Sequence, residues 1–280
     1  TRNLVEPEKH KLLGIYVNNS NKNKIRFNDT FKNTDGTLNA NYYLQDNIDY
    51  ISKINSAEKL IKFLLENDIQ LTIDLEYQSI LEEELKKRQE ETNSSSATGI
   101  IMNPETGEVL AMATTPGFDN NHFGSTKPEF HRIKSITDQF EPGSTFKVVS
   151  TVSALYNGLI SLNDEFNCEN GSFEYHTKKI TDHESYSMLT ASQIIHHSSN
   201  IGIIKIMDQV GPKPVVALMK KMGINSFLPE VPSIALGTPD ISLYEMVGAY
   251  STFVNKGIYI EPVFITRIED KNGVPLFEVI

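Results

Sequence analysis

The sequence predicts a mixed fold of the α/β (α+β) class, and three observations support this. Two apolar runs flank a turn-forming segment at residues 103–107, a pattern typical of a β-hairpin. Between residues 144 and 257, apolar residues recur at helical spacing and are bounded by capping residues, Gly and Pro. A second pair of apolar runs, 263–268 and 275–280, brackets a turn at 270–273 and predicts a terminal hairpin.

The N-terminal part of the chain differs from the rest. Residues 18–24 are polar and Asn-rich, and turn formers recur further on. One helix is predicted there, over 56–66, with Ser56 as its N-cap. We therefore interpret residues 1–68 as an irregular N-terminal module or linker, and residues 69–280 as the main domain.

A strand and a helix open the main domain. Residues 70–74 alternate polar and apolar, as a short strand does, and Asp74 can cap a helix over 75–91. That helix carries Glu–Lys and Glu–Arg pairs four residues apart, each worth only a few tenths of a kcal/mol, so we expect a solvated outer face. The hairpin follows, with strands over 97–102 and 108–113.

The second half is predicted to be mainly helical. In chain order, the predicted helices run from Ser144 to Asn157, from Thr190 to a break at Ser198-Ser199-Asn200, from Ile201 to Val210, and from Ser242 to Asn255. Two of these starts are supported by capping boxes, Thr190 with Gln193 and Ser242 with Glu245. Gly211-Pro212 is predicted to end the third helix.

Composition excludes several classes of protein. The 26 Lys and Arg against 36 Asp and Glu give a net charge of −10, which argues against a general nucleic-acid binder. The single Cys168 excludes an internal disulfide and a zinc site built from several thiolates. No apolar run approaches the roughly 18 residues of a membrane span, and no signal peptide opens the chain. Because the first residue is Thr, we expect a fragment of a longer protein, with a membrane anchor upstream left open.

The sharpest candidate for chemistry is the segment Glu-Pro-Gly-Ser-Thr-Phe-Lys at 141–147. If Ser144 opens a helix, its hydroxyl and the amine of Lys147 lie three residues apart on one face. A neutral lysine amine can take the proton of a serine and so make it a nucleophile, and burial favours the neutral amine. The backbone N–H of Ser144 at the helix start can also help to hold an oxyanion. The segment therefore predicts a serine acyl-transfer site.

Taken alone, each part of this pattern also has a structural explanation. Ser-x-x-Lys recurs at Ser56-Ala57-Glu58-Lys59, and a Ser-x-Asn triplet fits a helix cap as well as a catalyst. The adjacent His196 and His197 lack the spacing of ligands to one metal ion. The combination favours catalysis: a helix with a candidate nucleophile and base is followed by two helices separated by a break, and the break presents a hydroxyl and an amide.

Together these residues resemble the penicillin-binding proteins, the serine D,D-transpeptidases of bacterial cell-wall synthesis, whose motifs are Ser-x-x-Lys, Ser-Asp-Asn or a variant, and Lys-Thr-Gly. The sequence from about residue 70 to 210 is similar to that of class B members, and the sequence from about 231 to 273 is similar to that of class A members. The segments that carry this likeness are 71–74, 101–113, 140–147, 180–183, 198–202, 233–239 and 249–257. The sequence contains no Lys-Thr-Gly or Lys-Ser-Gly, so the domain that it resembles is truncated before that motif.

The resemblance implies an antiparallel five-stranded sheet flanked by helices. The strands at 97–102 and 108–113 would be the first two, and the other three would lie beyond the chain. Residues 1–68 would then be a remnant of the pedestal, and 69–280 an incomplete transpeptidase domain. We expect such a chain, by itself, to be nearly inactive and poorly soluble, because one oxyanion donor and the partner strands are missing.

The resemblance also assigns roles. Ser144 would be the acylated nucleophile and contribute an oxyanion donor, Lys147 its base, and Ser198 a proton relay to the leaving amine. Asn200 would hydrogen-bond the substrate amide and position Lys147. The substrate would be the D-Ala-D-Ala end of a peptidoglycan stem peptide, which β-lactams mimic, and no cofactor or metal is implied.

The implied location is the bacterial cell envelope, on the extracytoplasmic face of the cytoplasmic membrane, with other cell-wall synthesis proteins as candidate partners and no nucleic acid. Two alternatives stay open. One is a non-catalytic, penicillin-binding-like scaffold or remnant, motivated by the missing third motif. The other is a serine β-lactamase or β-lactam sensor, which uses the same Ser-x-x-Lys chemistry.

Overall fold

A computed structural model describes residues 16–17, 24–26, 67–118 and 127–278. The strands are β1 (Tyr16–Val17), β2 (Lys24–Arg26), β3 (Asn67–Leu71), β4 (Ala97–Met102), β5 (Val109–Thr115), β6 (Gln139–Phe140), β7 (Glu165–Asn167), β8 (Ser172–Tyr175), β9 (Lys178–Thr181), β10 (Met188–Thr190), β11 (Ile241–Ser242), β12 (Ile265–Asp270) and β13 (Pro275–Glu278). The α-helices are α1 (Leu75–Thr92), α2 (Lys134–Thr137), α3 (Lys147–Tyr156), α4 (Ala191–His197), α5 (Asn200–Val210), α6 (Pro212–Lys221) and α7 (Leu243–Val254). The described residues divide into two compact units, one within the ranges Thr1–Asp138 and Phe253–Ile280 and the other within Gln139–Thr252.

The first unit contains a five-stranded antiparallel sheet in the order β1-β2-β3-β12-β13. Ile69 on β3 and Ile268 on β12 are paired in register, and both are buried in the core. The terminal hairpin is present as β12 and β13, as the turn at 270–273 predicts. The strand predicted over 70–74 is β3, and it ends earlier than predicted, at Leu71. It ends there because the chain then turns so that Asp74 can accept hydrogen bonds from the first turn of α1.

The predicted hairpin is also present, as β4 and β5, with α1 packed on it. Gln78 of α1 is buried, and its side-chain amide exchanges two hydrogen bonds with the backbone of Met112, at 2.8 and 3.0 Å. In the described ranges, β4 and β5 pair only with each other, so the five-stranded sheet that the structure contains is not built on this hairpin. The terminal hairpin pairs with β3 instead.

The second unit is a helical core with short hairpins at its surface. Helix α5 is its central element, and it packs against α3, α4 and α6. Its buried residues lie all round the helix, as expected for one covered on several sides; they are Ile201, Gly202, Ile203, Ile204, Ile206, Met207 and Val210. Three two-stranded antiparallel sheets, β6 with β11, β7 with β10 and β8 with β9, complete the unit.

Two features of this unit differ from the sequence-based expectation. Gly211-Pro212 ends α5, but it also starts a further helix, α6, because a proline in the first turn needs no hydrogen-bonded N–H. The helix predicted from Ser144 begins as a 3₁₀ turn, Gly143–Phe146, and becomes α-helical only at Lys147.

Some expectations lie outside the described residues, namely the helix over 56–66 and most of the N-terminal module. On α1 the exposed ion pairs join residues three apart, Glu84 with Lys87 and Arg88 with Glu91, instead of four apart. In the part of the chain that the structure describes, no helix has the length and apolar content needed to cross a membrane.

Candidate active site

The site is built around the 3₁₀ turn that carries Ser144. Side chains three residues apart eclipse one another in a 3₁₀ helix, so Ser144 and Lys147 lie on one face, as the spacing predicts. Their environments are opposite: Ser144 is exposed, whereas Lys147 is only 2 % exposed. Between them, Phe146 is fully buried and anchors the turn in the core. The arrangement presents a hydroxyl to solvent above a buried amine.

Residues from other segments hold this turn through hydrogen bonds to its backbone. The N–H of Gly143 donates to the carbonyl of Gly237 at 3.1 Å, and the hydroxyl of Tyr250 donates to the carbonyl of Thr145. Gly237 lies at φ +73°, where it ends the 3₁₀ helix Pro232–Leu236. A Cβ at Gly237 would lie 2.1 Å from the carbonyl oxygen of Gly143, far inside van der Waals contact. Only glycine allows the two backbones to approach this closely.

Lys147 makes three hydrogen bonds, all to the break between α4 and α5. Its Nζ lies 2.6 Å from the carbonyl oxygen of Ser198, 3.0 Å from Ser198 Oγ and 2.7 Å from Asn200 Oδ1. Burial lowers the pKa of Lys147 from 10.5 to about 8, and the negative charge of Asp182 opposes this shift. About a tenth of the amine is therefore neutral at pH 7, whereas an ordinary lysine is almost wholly protonated.

The break at 198–200 has a defined local structure. Ser198 ends α4 in the left-handed region, at φ 54°, and Ser199 is the N-cap of α5, accepting from the N–H of Gly202 at 2.8 Å. Asn200 is the first residue of α5, and its Nδ2 donates to the carbonyl of Thr181 at 2.8 Å, which turns Oδ1 toward Lys147. The capping box of Thr190 with Gln193 at the other end of α4 is present as predicted.

The carboxylate of Asp182 also holds this break. One oxygen accepts from the backbone N–H groups of Asn200 and Ile201, at 2.5 and 3.1 Å, and the other accepts from Ser199 Oγ at 2.6 Å. The site residues predicted from the sequence did not include Asp182. The signal that could have found it is its place in the 180–183 segment that carries the family resemblance.

The structure thus brings together three of the four predicted site residues, Lys147, Ser198 and Asn200. Ser144 lies on the same face of the turn as Lys147, and within the described ranges its hydroxyl makes no hydrogen bond to the protein. The described residues contain no group of three or more metal-ligating side chains. His196 and His197 contact each other edge to face, with ring centroids 4.8 Å apart, and Nδ1 of His197 is 3.2 Å from the hydroxyl of Tyr186.

Comparison with known families identifies one match over most of this region. The family model described as "Penicillin binding protein transpeptidase domain" matches residues 97–278, which include the 3₁₀ turn, Asp182 and the 198–200 break.

Two curated relatives are similar over long stretches. The Pseudomonas aeruginosa protein named "Probable peptidoglycan D,D-transpeptidase PbpC" is 30 % identical over 244 residues, which are 80 % of this chain and 43 % of that protein. The peptidoglycan D,D-transpeptidase FtsI of Buchnera aphidicola is 33 % identical over 172 residues, 61 % of this chain and 30 % of that protein. The chain therefore spans less than half the length of these relatives.

Among solved structures, penicillin-binding protein 3 of Mycobacterium tuberculosis has a similar fold. Its apo form superposes with a TM-score of 0.72 at 21 % identity, covering 80 % of this chain and 58 % of that chain. The same protein complexed with ampicillin gives a TM-score of 0.70, covering 80 % and 57 %. At this level of identity the likeness shows the fold alone, that of mixed helices and antiparallel sheet.

Proposed function

We propose that this chain, which belongs to the penicillin-binding protein transpeptidase family, carries the serine acyl-transfer site of a peptidoglycan D,D-transpeptidase. The observation that carries the proposal is the buried Lys147, whose pKa is lowered to about 8, three residues after an exposed serine and bonded to both Ser198 and Asn200. The activity in the names of the two relatives supports the reaction class.

Activation of Ser144 follows from the hydrogen bonds of Lys147. A neutral amine has two protons and one lone pair, and the carbonyl of Ser198 and Oδ1 of Asn200 can only accept. These two acceptors take both protons and leave the lone pair for a hydroxyl. In the resting arrangement that hydroxyl is Ser198 Oγ, at 3.0 Å. When the lone pair turns to Ser144 instead, it can take the serine proton as Oγ attacks the substrate carbonyl.

The proton then leaves through Ser198. Attack by Ser144 forms a C–O bond, and collapse of the tetrahedral intermediate breaks the C–N bond of the terminal D-Ala. Ser198 gives its hydroxyl proton to the departing amine and takes one from the Lys147 ammonium, 3.0 Å away. The acyl group is thereby held as an ester on Ser144, and an amine acceptor releases it by the reverse proton path.

Ser144 N–H and Asn200 would hold the substrate. The N–H of Ser144 lies in the first turn of its helix, where backbone donors have no partner within the helix, and it can face the oxyanion. Asn200 uses one proton of its Nδ2 group on Thr181, which leaves the second for the substrate amide.

The substrate that fits this chemistry is the D-Ala-D-Ala end of a peptidoglycan stem peptide, and β-lactams are its acylating mimics. The solved ampicillin complex of the Mycobacterium tuberculosis protein supports this choice of ligand. We extend the proposal to a location in the bacterial cell envelope, outside the cytoplasmic membrane, and to partners among the cell-wall synthesis proteins.

Covalent labelling tests this proposal. The full chain is incubated with a penicillin for several hours, and adducts are counted by intact mass and located by peptide mass spectrometry. Because we expect this chain by itself to acylate slowly, the adduct is given several hours to accumulate; we expect one acyl group on Ser144, none in Ser144→Ala, and acylation slowed by about a further 10²–10⁴-fold in Lys147→Ala. Ser56→Ala, which alters the second Ser-x-x-Lys, is the matched control and should label like the wild type.

The same experiment separates the transpeptidase from a β-lactamase and from a non-catalytic scaffold. A lasting adduct on Ser144 supports the transpeptidase, because its acyl-enzyme is slow to hydrolyse. Rapid release of hydrolysed penicillin with many turnovers would indicate a β-lactamase. No adduct on Ser144, or an adduct on Ser56, would contradict the assignment of the nucleophile.

A further inference from the structure

Asp182 connects the end of β9 to the first turn of α5. Its two oxygens accept three hydrogen bonds from three consecutive residues, the hydroxyl of Ser199 and the backbone N–H groups of Asn200 and Ile201. A carboxylate at this position also interacts favourably with the positive end of the α5 dipole. Because Asp182 lies 18 residues before Asn200 in the chain, it is a tertiary cap, distinct from the local cap that Ser199 forms.

The segment that Asp182 holds is the one that binds Lys147. All three hydrogen-bond partners of the Lys147 amine belong to Ser198 and Asn200, which flank Ser199. Thr181, the residue before Asp182, accepts a hydrogen bond from Asn200 Nδ2. Two consecutive residues at the end of β9 therefore determine where Asn200 lies and which way its amide faces.

The β8–β9 hairpin, which ends directly before Asp182, also contacts α5. Nζ of Lys205 lies 3.0 Å from Glu169 Oε1 and 3.8 Å from the ring centroid of Phe173 on β8. One turn further along α5, Asp208 accepts a hydrogen bond from the hydroxyl of Tyr175 at 2.5 Å. The β8–β9 hairpin therefore contacts α5 at both its first turn and its middle, so that Asp182 meets α5 in a constant position.

We propose that Asp182 is a positioning residue for acyl transfer: it holds the 198–200 break in the place from which Ser198 and Asn200 bind the Lys147 amine. The proposal rests on the function proposed above, since it assumes that Lys147 is the base. Without Asp182, two N–H groups and one hydroxyl at the start of α5 lose their acceptor, and the break is free to move away from Lys147.

Asp182 also acts on Lys147 through its charge. Of the described charged side chains, it is the one that shifts the pKa of Lys147, in the upward direction. Two titratable groups lie near Asp182: burial raises the pKa of the Cys168 thiol, a hydrogen bond to Glu184 raises the pKa of Tyr186, and the charge of Asp182 adds to both shifts. The charges of Lys205 and Glu169 act on Cys168 in opposite directions. Removing the charge should therefore lower the pKa of Lys147 further below about 8.

Three variants of the full chain test the proposal. Asp182→Asn keeps the oxygen that caps Asn200 and Ile201 but removes the charge, whereas Asp182→Ala removes both. Asp164→Asn is the matched control, because Asp164 also accepts a backbone and a hydroxyl hydrogen bond, from Ser161, but does not act on Lys147. The readouts are the rate of penicillin acylation of Ser144 from pH 6 to 10, thermal unfolding, and the Lys147 pKa by NMR titration of the lysine side chains, assigned with Lys147→Arg.

For Asp182→Asn we expect a Lys147 pKa below the wild-type value and an acylation profile shifted to lower pH, with little change in thermal unfolding. For Asp182→Ala we expect acylation slowed by about 10- to 100-fold across the pH range, because the acceptors of Lys147 are displaced. Asp164→Asn should match the wild type in the acylation rate and in the Lys147 pKa. An unchanged Lys147 pKa in Asp182→Asn, or wild-type acylation in Asp182→Ala, would overturn the proposal.

Asp182→Glu takes the place of the alanine variant if that variant does not fold. It keeps the charge on a longer side chain, so slowed acylation with a Lys147 pKa near the wild-type value supports positioning, and a wild-type rate contradicts it. Absence of any acylation in the wild type would refute the proposed function instead. The NMR titration would still show in that case whether Asp182 acts on Lys147.

Discussion

Gly237→Ala perturbs the nucleophile turn without altering any side chain of the site. A methyl group there would lie 2.1 Å from the carbonyl oxygen of Gly143 and 2.6 Å from its nitrogen, whereas ordinary contacts begin at 3.4 Å. Both contacts are with backbone, so no side-chain rotation relieves them. The backbone of Gly143, which directly precedes Ser144, must therefore move by more than 1 Å.

The expected effect on acylation follows from that displacement. A misplacement of about 1 Å costs about 10²-fold in rate when the reacting groups must meet in one geometry. The substitution also lowers stability, by about 1–2 kcal/mol for a non-glycine residue in the left-handed region and by about 1–3 kcal/mol for overpacking. We therefore expect penicillin acylation of Ser144 to fall by about 10²-fold, together with a lower melting temperature.

Gly158→Ala is the matched control. Gly158 has a similar φ, +66° against +73° for Gly237, but a Cβ there meets nothing within 4 Å. It should show the left-handed strain as a lower melting temperature and acylate Ser144 at the wild-type rate. Fluorescent-penicillin labelling and thermal unfolding of both variants measure the two effects separately. If Gly237→Ala acylates as fast as Gly158→Ala, the contact does not position the nucleophile and the reasoning is refuted.

Three further predictions follow from single side chains. Acylation should rise about tenfold per pH unit up to about pH 8 and then level off, because only the neutral Lys147 amine accepts a proton, and Lys147→Arg should show no such profile. Because the unfolded chain binds more protons than the folded chain between about pH 8 and 10.5, the unfolding free energy of the wild type relative to Lys147→Met should increase across that window in denaturant titrations. Gln78→Leu leaves the N–H and carbonyl of Met112 without their partner and should lower the unfolding free energy by about 1–3 kcal/mol. Gln89→Leu on the same helix should lower it less, because the side-chain amide of Gln89 is only partly buried and makes one hydrogen bond. An equal loss in the two variants would contradict that role of Gln78.

The sequence by itself determined the features whose hydrogen bonds close within a few residues. The capping box of Thr190 with Gln193 and the cap at Asp74 depend on side chains next to the backbone groups that they satisfy. The hairpin at 97–115 depends on the local turn that joins its two strands. The same holds for the break at 198–200 and for the spacing that puts Ser144 and Lys147 on one face. Such contacts have little chain entropy to overcome, so the local pattern is enough to predict them.

Only the tertiary structure decided what makes these residues a site. The lowered pKa of Lys147 depends on its burial against α4 and α5. The role of Asp182 depends on a hairpin that folds back over α5. The position of Ser144 depends on the contact between its neighbour Gly143 and Gly237. The pairing of β3 with β12 joins residues nearly 200 positions apart, as in the bond from Thr266 to Gln70. Burial, charge and close approach are properties of neighbours in space, and the local pattern does not specify which distant segment becomes a neighbour.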